Sequence, residues 1–157
     1  MTAAPEKIKA VLEEQIREYK NLMALLRKEK QCLIDFDEQG VEDLAKQKDT
    51  AALKLRLLEQ ERLRLIEEFY AVRGNGPGEK SASLRELSLA TGDGSFMELR
   101  RLVISLLQGI QELNEFNRIL IERSLHFVSD SLDFFGKAGA RTGGNTGGKG
   151  TMVSRQI

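Results

Sequence analysis

Cysteine occurs once in this chain, at Cys32, and histidine once, at His126. A single cysteine excludes an internal disulfide and leaves a cysteine-based zinc site without ligands. A single histidine excludes multi-histidine metal sites and catalysis built on several imidazoles. Tryptophan is absent and aromatics are 6% of the 157 residues, a composition of long solvated helices rather than of a pocketed enzyme or a β-sandwich. Neither sign of charge is in surplus, with 24 Lys and Arg against 24 Asp and Glu; a nucleic-acid binder normally needs a basic excess to displace counterions. Long apolar runs are missing too. The longest charge-free stretch on a strongly apolar helix, Leu102 to Gln111, has ten residues, where a membrane span needs roughly 20. The opening MTAAPEKIKA holds no signal-peptide core. The expected compartment is a reducing cytoplasm, with no nucleic-acid partner and no membrane insertion.

Proline stands only at Pro5 and Pro77, and glycine is confined to Gly40, Gly74–Gly78, Gly92–Gly94, Gly109 and the region after Phe135. Between these breaks apolar residues recur every three or four positions, the signature of amphipathic helices. Ile8, Leu12, Ile16, Tyr19, Met23, Leu26 and Leu33 form one stripe. Val41, Leu44, Ala51, Leu55, Leu58, Leu65, Phe69 and Val72 form a second. Leu99, Val103, Leu106, Ile110, Leu113, Asn117, Leu120, Phe127 and Phe134 form a third. The spacing predicts helices over 8–35, 41–72 and 95–135, with Leu55, Leu58, Leu106 and Leu113 buried. Asp37 suits the N-cap of the second helix. Ser83 with Glu86, and Ser95 with Glu98, suit capping boxes for a short connector helix and for the third long helix. The expected fold is all-α: an antiparallel bundle of three long helices with coiled-coil-like packing. Whether the second helix folds back on the first or continues a bent first helix is open at this level.

Residues 136–157 differ. Seven of these 22 are glycine, four are basic and none is acidic, so they read as a disordered basic tail behind a 1–135 bundle domain. Within it, Gly143 to Thr151 comes one residue short of a phosphate-binding loop, but no strand precedes it and no helix follows. Glu122 and His126 share a helix face, yet the chain has one histidine and lacks the paired motifs of di-metal bundles. Carboxylates are interleaved with Lys and Arg, and none forms an isolated pair in apolar surroundings. No catalytic set, metal site or cofactor is implied. Lys30, Lys48 and Arg62 interrupt the core stripes, either with snorkelling stems or as residues that set register or meet a partner.

The third helix carries an additional stripe, Ile121, Leu125, Val128, Leu132 and Phe135, about 100° around from Leu120, Phe127 and Phe134. A helix wedged between two others needs such width. A partner-binding surface needs it equally, and the third helix is predicted to be the longest.

Tyr19-x-x-Leu22, Glu29-Lys30, Leu33, Lys48, Leu55, Arg62 and Asn114-x-x-Asn117-x-x-Leu120-Ile121, together with the glycine-rich end, resemble the FlgN family of flagellar export chaperones over about residues 8–136. The resemblance implies a cytoplasmic, non-enzymatic protein. It would bind hook–filament junction proteins (FlgK-like or FlgL-like) through their C-terminal helical segments and deliver them to the flagellar type III export gate. It also places client binding in the C-terminal region, here Asn117, Ile121, Leu125, Val128, Leu132 and Phe135. Two features depart from the family pattern: no tyrosine follows Tyr70, and the tail is rich in glycine and basic residues. The competing expectation is a homo-oligomeric coiled-coil scaffold or adaptor, and a homodimer fits either reading.

Overall fold

The computed structural model describes residues 3–74 and 83–142, with side chains described over 4–74 and 83–139. All regular structure among them is α-helical: α1 (Ala3–Ile34), α2 (Glu38–Arg73), α3 (Leu84–Thr91) and α4 (Ser95–Thr142). The chain divides into two compact units, Met1–Leu120 and Ile121–Ile157, so the boundary falls within α4.

In the first unit, the α1–α2 turn decides the topology. Phe36 adopts a left-handed φ of 55°. The Asp37 N–H donates to Cys32 O at 2.9 Å and the Phe36 N–H to Leu33 O at 3.5 Å, which is a Schellman ending of α1. Asp37 then caps α2, its carboxylate accepting from the Gly40 N–H at 2.9 Å. A Cβ at Gly40 would lie 2.4 Å from Asp37 Oδ2 and 2.7 Å from Cys32 Sγ, so any other residue there forces the capping Asp37 or Cys32 to shift. One chain reversal is thus assembled from an αL residue, a cap and a side-chain-free position.

The reversal makes α1 and α2 an antiparallel hairpin. Gln15 Nε2 donates to Glu59 at 2.8 Å, Lys54 reaches Glu14 at 3.3 Å and Glu18 at 3.2 Å, and Lys48 reaches Glu29 at 2.5 Å. Partners that rise in number along α1 fall along α2, so the second helix folds back. Residues 95–120 of α4 run the other way along the hairpin, parallel to α1. Phe96 lies beneath the Lys9 ammonium, Gly109 faces the Met23 thioether, and Asn117 bonds to Leu26 and Glu29.

Apolar burial gathers in two places. The larger core joins Ile8 and Leu12 of α1, Leu65, Ile66, Phe69 and Tyr70 of α2, Leu87 of α3 and Phe96 of α4. The smaller one joins Leu25, Leu44 and Ala51. Leu55 and Leu58, expected in the core, fall between these clusters and are only half-buried, as are Leu106 and Leu113. A polar layer of Gln15, Glu59 and Arg62 and a cleft of about 330 Å³ lined by Leu12, Tyr19, Val103 and Leu107 occupy this level, so the leucines there are covered on one side only. Val72 is another correction: at the end of α2 it is exposed, beyond the last layer of the larger core.

The connector matches its expected helix. Ser83 caps α3 by accepting from the Arg85 N–H, and Gly92 ends it with a φ of 69°. Ser95, however, is not the cap of α4. Its N–H donates to Asp93 Oδ1 at 2.9 Å, while Gly94 O accepts from Met97 and Glu98. Asp93 also pairs with Lys9 of α1, so one carboxylate holds the start of α4 and ties it to α1. The Lys9 ammonium, and then the Ser95 N–H, lower the Asp93 pKa to about 2.

The helix expected to stop at Phe135 continues through Gly136 and Gly139 to Thr142. Glycine costs a helix about 1 kcal/mol relative to alanine, and two isolated glycines do not end a 48-residue helix. The remainder of the expected tail, 143–157, lies outside the described residues.

Candidate functional site

The additional stripe singles out residues 117–135, and the structure gives them two different settings. Asn117 belongs to the first unit and is 2% exposed. Its Nδ2 donates to Leu26 O at 3.0 Å and to Glu29 Oε1 at 2.9 Å. Glu29, itself buried, takes Lys48 on its other oxygen. An amide from α4, a carboxylate from α1 and an ammonium from α2 thus meet in one buried polar cluster. Buried polar groups need partners in fixed geometry, so this cluster sets the register of three helices. Asn117 Oδ1 is buried with no partner among the described residues.

The other two stripe-interrupting cations also act within the first unit. Lys30 of α1 places its Nζ 4.6 Å from the centre of the Phe116 ring of α4, a cation–π contact. Arg62 bonds Glu59 on its own helix, and Glu59 takes Gln15 from α1. Arg62, followed by the amide of Gln15, holds the Glu59 carboxyl below its usual range against an opposing effect of burial. Lys48 and Lys30 thus reach a neighbouring helix directly, and Arg62 holds the Glu59 carboxylate that does so.

Ile121, Leu125, Val128, Leu132 and Phe135 belong to the second unit. Ile121 is half-buried; Leu125 is 41% exposed, Val128 46%, Leu132 54% and Phe135 69%. Phe127 and Phe134, whose spacing assigned them to the core, are 65% and 68% exposed. At 100° per residue the two sets cover one continuous side of the helix. Glu122, Arg123, His126, Asp130, Asp133 and Lys137 lie on the other side. The segment is a strongly amphipathic helix whose apolar half faces solvent, the kind of exposed apolar face that proteins use to meet partners. Phe127 and Phe134 are the members that sequence reasoning missed. The same heptad position is half-buried upstream, at Leu106, Leu113 and Leu120, and open here, and spacing is identical in both cases.

The site offers little to a metal or a reacting substrate. No group of three or more His, Cys, Asp or Glu side chains is placed to hold a metal among the described residues. His126 and Glu122 are both exposed. What the arrangement can do is bury apolar surface against another helix. No described helix is long and apolar enough to cross a membrane.

Comparison with known proteins agrees with this geometry. No curated protein and no solved structure matches the chain. A family model does, over residues 1–154, nearly the whole length. A chain whose described residues form a cross-braced helical hairpin and an open apolar helix end, matched over residues 1–154 by that model, belongs to the FlgN protein family of flagellar chaperones.

Proposed function

We propose that this chain is a cytoplasmic export chaperone for hook–filament junction proteins of the FlgK or FlgL kind. It holds their C-terminal helical segments and brings them to the flagellar type III export gate. The observation that carries the reading is the exposed apolar side of α4 from Ile121 to Phe135, with Leu125, Phe127, Val128, Leu132, Phe134 and Phe135 all open to solvent. A segment that pairs into a coiled coil only after assembly exposes an apolar stripe beforehand. Laying that stripe on a second apolar helix face removes both from water, at roughly 25 cal/mol per Å² of apolar area. Delivery requires release, so the affinity expected is micromolar to tens of nanomolar, about 8–11 kcal/mol. The basic 136–157 stretch, with a charge of +4, is proposed to favour an acidic patch at the export gate, an attraction that weakens with salt.

The test is a binding titration with a FlgK-like or FlgL-like C-terminal segment, run beside a thermal melt. Leu132→Glu should melt like the wild type and lose capture of the client. A chain truncated after Phe135 should keep the client and lose salt-sensitive binding to the gate. Normal melting with normal client binding in Leu132→Glu removes this surface from the mechanism. Stable self-association of the wild type through the same surface points instead to a scaffold.

A further inference from the structure

Five cations among the described residues are half-buried: Lys9, Lys30, Lys48, Arg62 and Arg100. Half-burial takes water from a charge, and the loss is offset when a countercharge or an aromatic face takes the water's place. Four of the five have one. Lys9 meets Asp93 and the Phe96 ring, Lys30 the Phe116 ring, Lys48 the Glu29 carboxylate and Arg62 the Glu59 carboxylate. The Arg100 guanidinium, on α4, has no ion pair, hydrogen bond or ring contact among the described residues. Within the first unit it is the cation that the chain leaves without compensation.

Arg100 lines the cleft of about 330 Å³ between the hairpin and α4. Tyr19 lines it too and is half-buried, and its hydroxyl has no partner among the described residues. Burial, and then the Glu59 carboxylate, raise the Tyr19 pKa above its ordinary value, so this hydroxyl stays protonated and able to donate. Glu59 is the one carboxylate in the lining, and it is already engaged: Arg62 donates to it at 2.9 Å and Gln15 at 2.8 Å. Two guanidiniums against one carboxylate leave the cleft a single positive charge in excess. The remaining wall is largely apolar, with Leu12, Ile104 and Leu107. Two unused donors thus stand beside an apolar wall in a space at the lower end of the range for ligand pockets, about 300–1,000 Å³.

A guanidinium recognises a carboxylate through paired N–H donors, and a phenol adds a neutral donor. The apolar wall asks for an apolar group joined directly to that carboxylate. An internal Asp or Glu carries its charge without such a group, and inorganic phosphate carries charge alone. An apolar residue at the end of a chain supplies both from one Cα, and capture of a C-terminal carboxylate is a known mode of peptide recognition. We propose that the cleft is a receptor for the C-terminal carboxylate and last apolar side chain of a partner protein, with Arg100 and Tyr19 holding the carboxylate. The site lies wholly in the first unit, and the proposal is independent of the client surface assigned to α4 beyond Leu120.

Two short peptides of one sequence ending in Ala-Leu-Leu test it on the full-length protein, one with a free C-terminal carboxylate and one amidated. The free peptide should bind about tenfold tighter than the amide. Arg100→Met keeps the apolar stem and should erase that gap, Arg100→Lys should keep part of it, and Tyr19→Phe should narrow it about threefold. A free peptide ending in Ser-Ser should bind about tenfold more weakly than the leucine one. Arg100→Met should melt at or above the wild-type temperature, because no internal partner is lost. A clear drop would reveal a countercharge within the chain and overturn the proposal. It is overturned equally by no binding of either peptide, by equal binding of the two, by a gap that survives Arg100→Met, or by octanoate or inorganic phosphate competing as well as the peptide. A gap abolished by Leu132→Glu would place the reading of the carboxylate in the second unit and also overturn it. Each of these failures leaves client capture on α4 in place, which the Leu132→Glu titration with a junction protein tests by itself.

Discussion

In the first unit the best-covered apolar side chains are sealed: Ile8, Leu12, Leu26, Ile66 and Phe96 are at most 2% exposed, while Leu102, Leu107 and Phe116 of α4 stay 41%, 43% and 44% exposed. From Ile121 onward, side chains at the same spacing on the same helix are open, with Phe127 and Phe134 about two-thirds exposed. Charges show the same contrast. Glu29, Lys48, Glu59, Lys9 and Asp93 brace one helix on another in the first unit, whereas Arg123, Asp130 and Lys137 of the second are exposed. A heptad stripe is an unfilled demand for a partner surface. In the first unit the chain meets much of that demand itself; in the second nearly all of the apolar side is exposed. That difference, rather than any single motif, separates the part that folds on itself from the part proposed to bind.

Substitutions should separate the two regions by size of effect. Phe96→Ala removes a fully buried ring where α4 meets α1, α2 and α3, and should cost about 3–5 kcal/mol in chemical denaturation; Leu26→Ala should cost about 2–5 kcal/mol. Half-buried Leu55→Ala should cost less, about 1–2 kcal/mol. If all three melt alike, the division into two cores is wrong.

Asn117→Ala deprives Leu26 O and Glu29 of their donor in a buried place, with an expected loss of about 1–3 kcal/mol. Asn117→Asp should cost more, because a carboxylate would then face the buried Glu29. The double substitution Asn117→Leu with Glu29→Leu removes both polar partners and should recover part of the loss, at the expense of register, readable as broadened amide spectra.

The Lys9–Asp93 pair gives an acid signature. The Asp93 pKa is lowered in the folded chain from 3.8 to about 2, so its contribution is complete above the unfolded value and is lost as pH falls through the folded one. Asp93→Asn should lower the melting temperature near neutrality. The gap from wild type should shrink as pH falls through that window, and a gap independent of pH would remove the pair as its cause.

A smaller effect, of opposite sign, is expected at the hairpin turn. Phe36 is 69% exposed and sits in the left-handed region, where a side chain costs about 1–2 kcal/mol and glycine costs little. Phe36→Gly should stabilise by about 1 kcal/mol, whereas Gly40→Ala, which crowds Asp37 and Cys32, should destabilise. The least effect on melting is expected in the second unit, where Leu125→Ala and Leu132→Ala should change stability by no more than about 0.5 kcal/mol. A loss comparable to that of Leu26→Ala would show that the apolar half of α4 is covered in the folded chain and would collapse the contrast.

The sequence alone determined that the described chain is helical, where its three long helices lie apart from a first turn of α1 and the last seven residues of α4, and that Asp37 and Ser83 open α2 and α3. It also supported the resemblance to the family. These properties follow from local chemistry: a three-and-four periodicity, a glycine or proline break, and a hydroxyl or carboxylate ahead of an apolar run act within one or two turns of chain. The tertiary structure alone decided that α2 folds back on α1, because an αL phenylalanine ends α1 as a glycine would. It also decided that Leu55 and Leu113 are half-covered while Phe96 is fully covered, that Lys48 and Asn117 meet at Glu29, and that Phe127 stands open where Ile110 does not. Burial belongs to the neighbour as much as to the residue. Heptad spacing records which side of a helix seeks a partner, and only the folded chain shows whether one has already arrived.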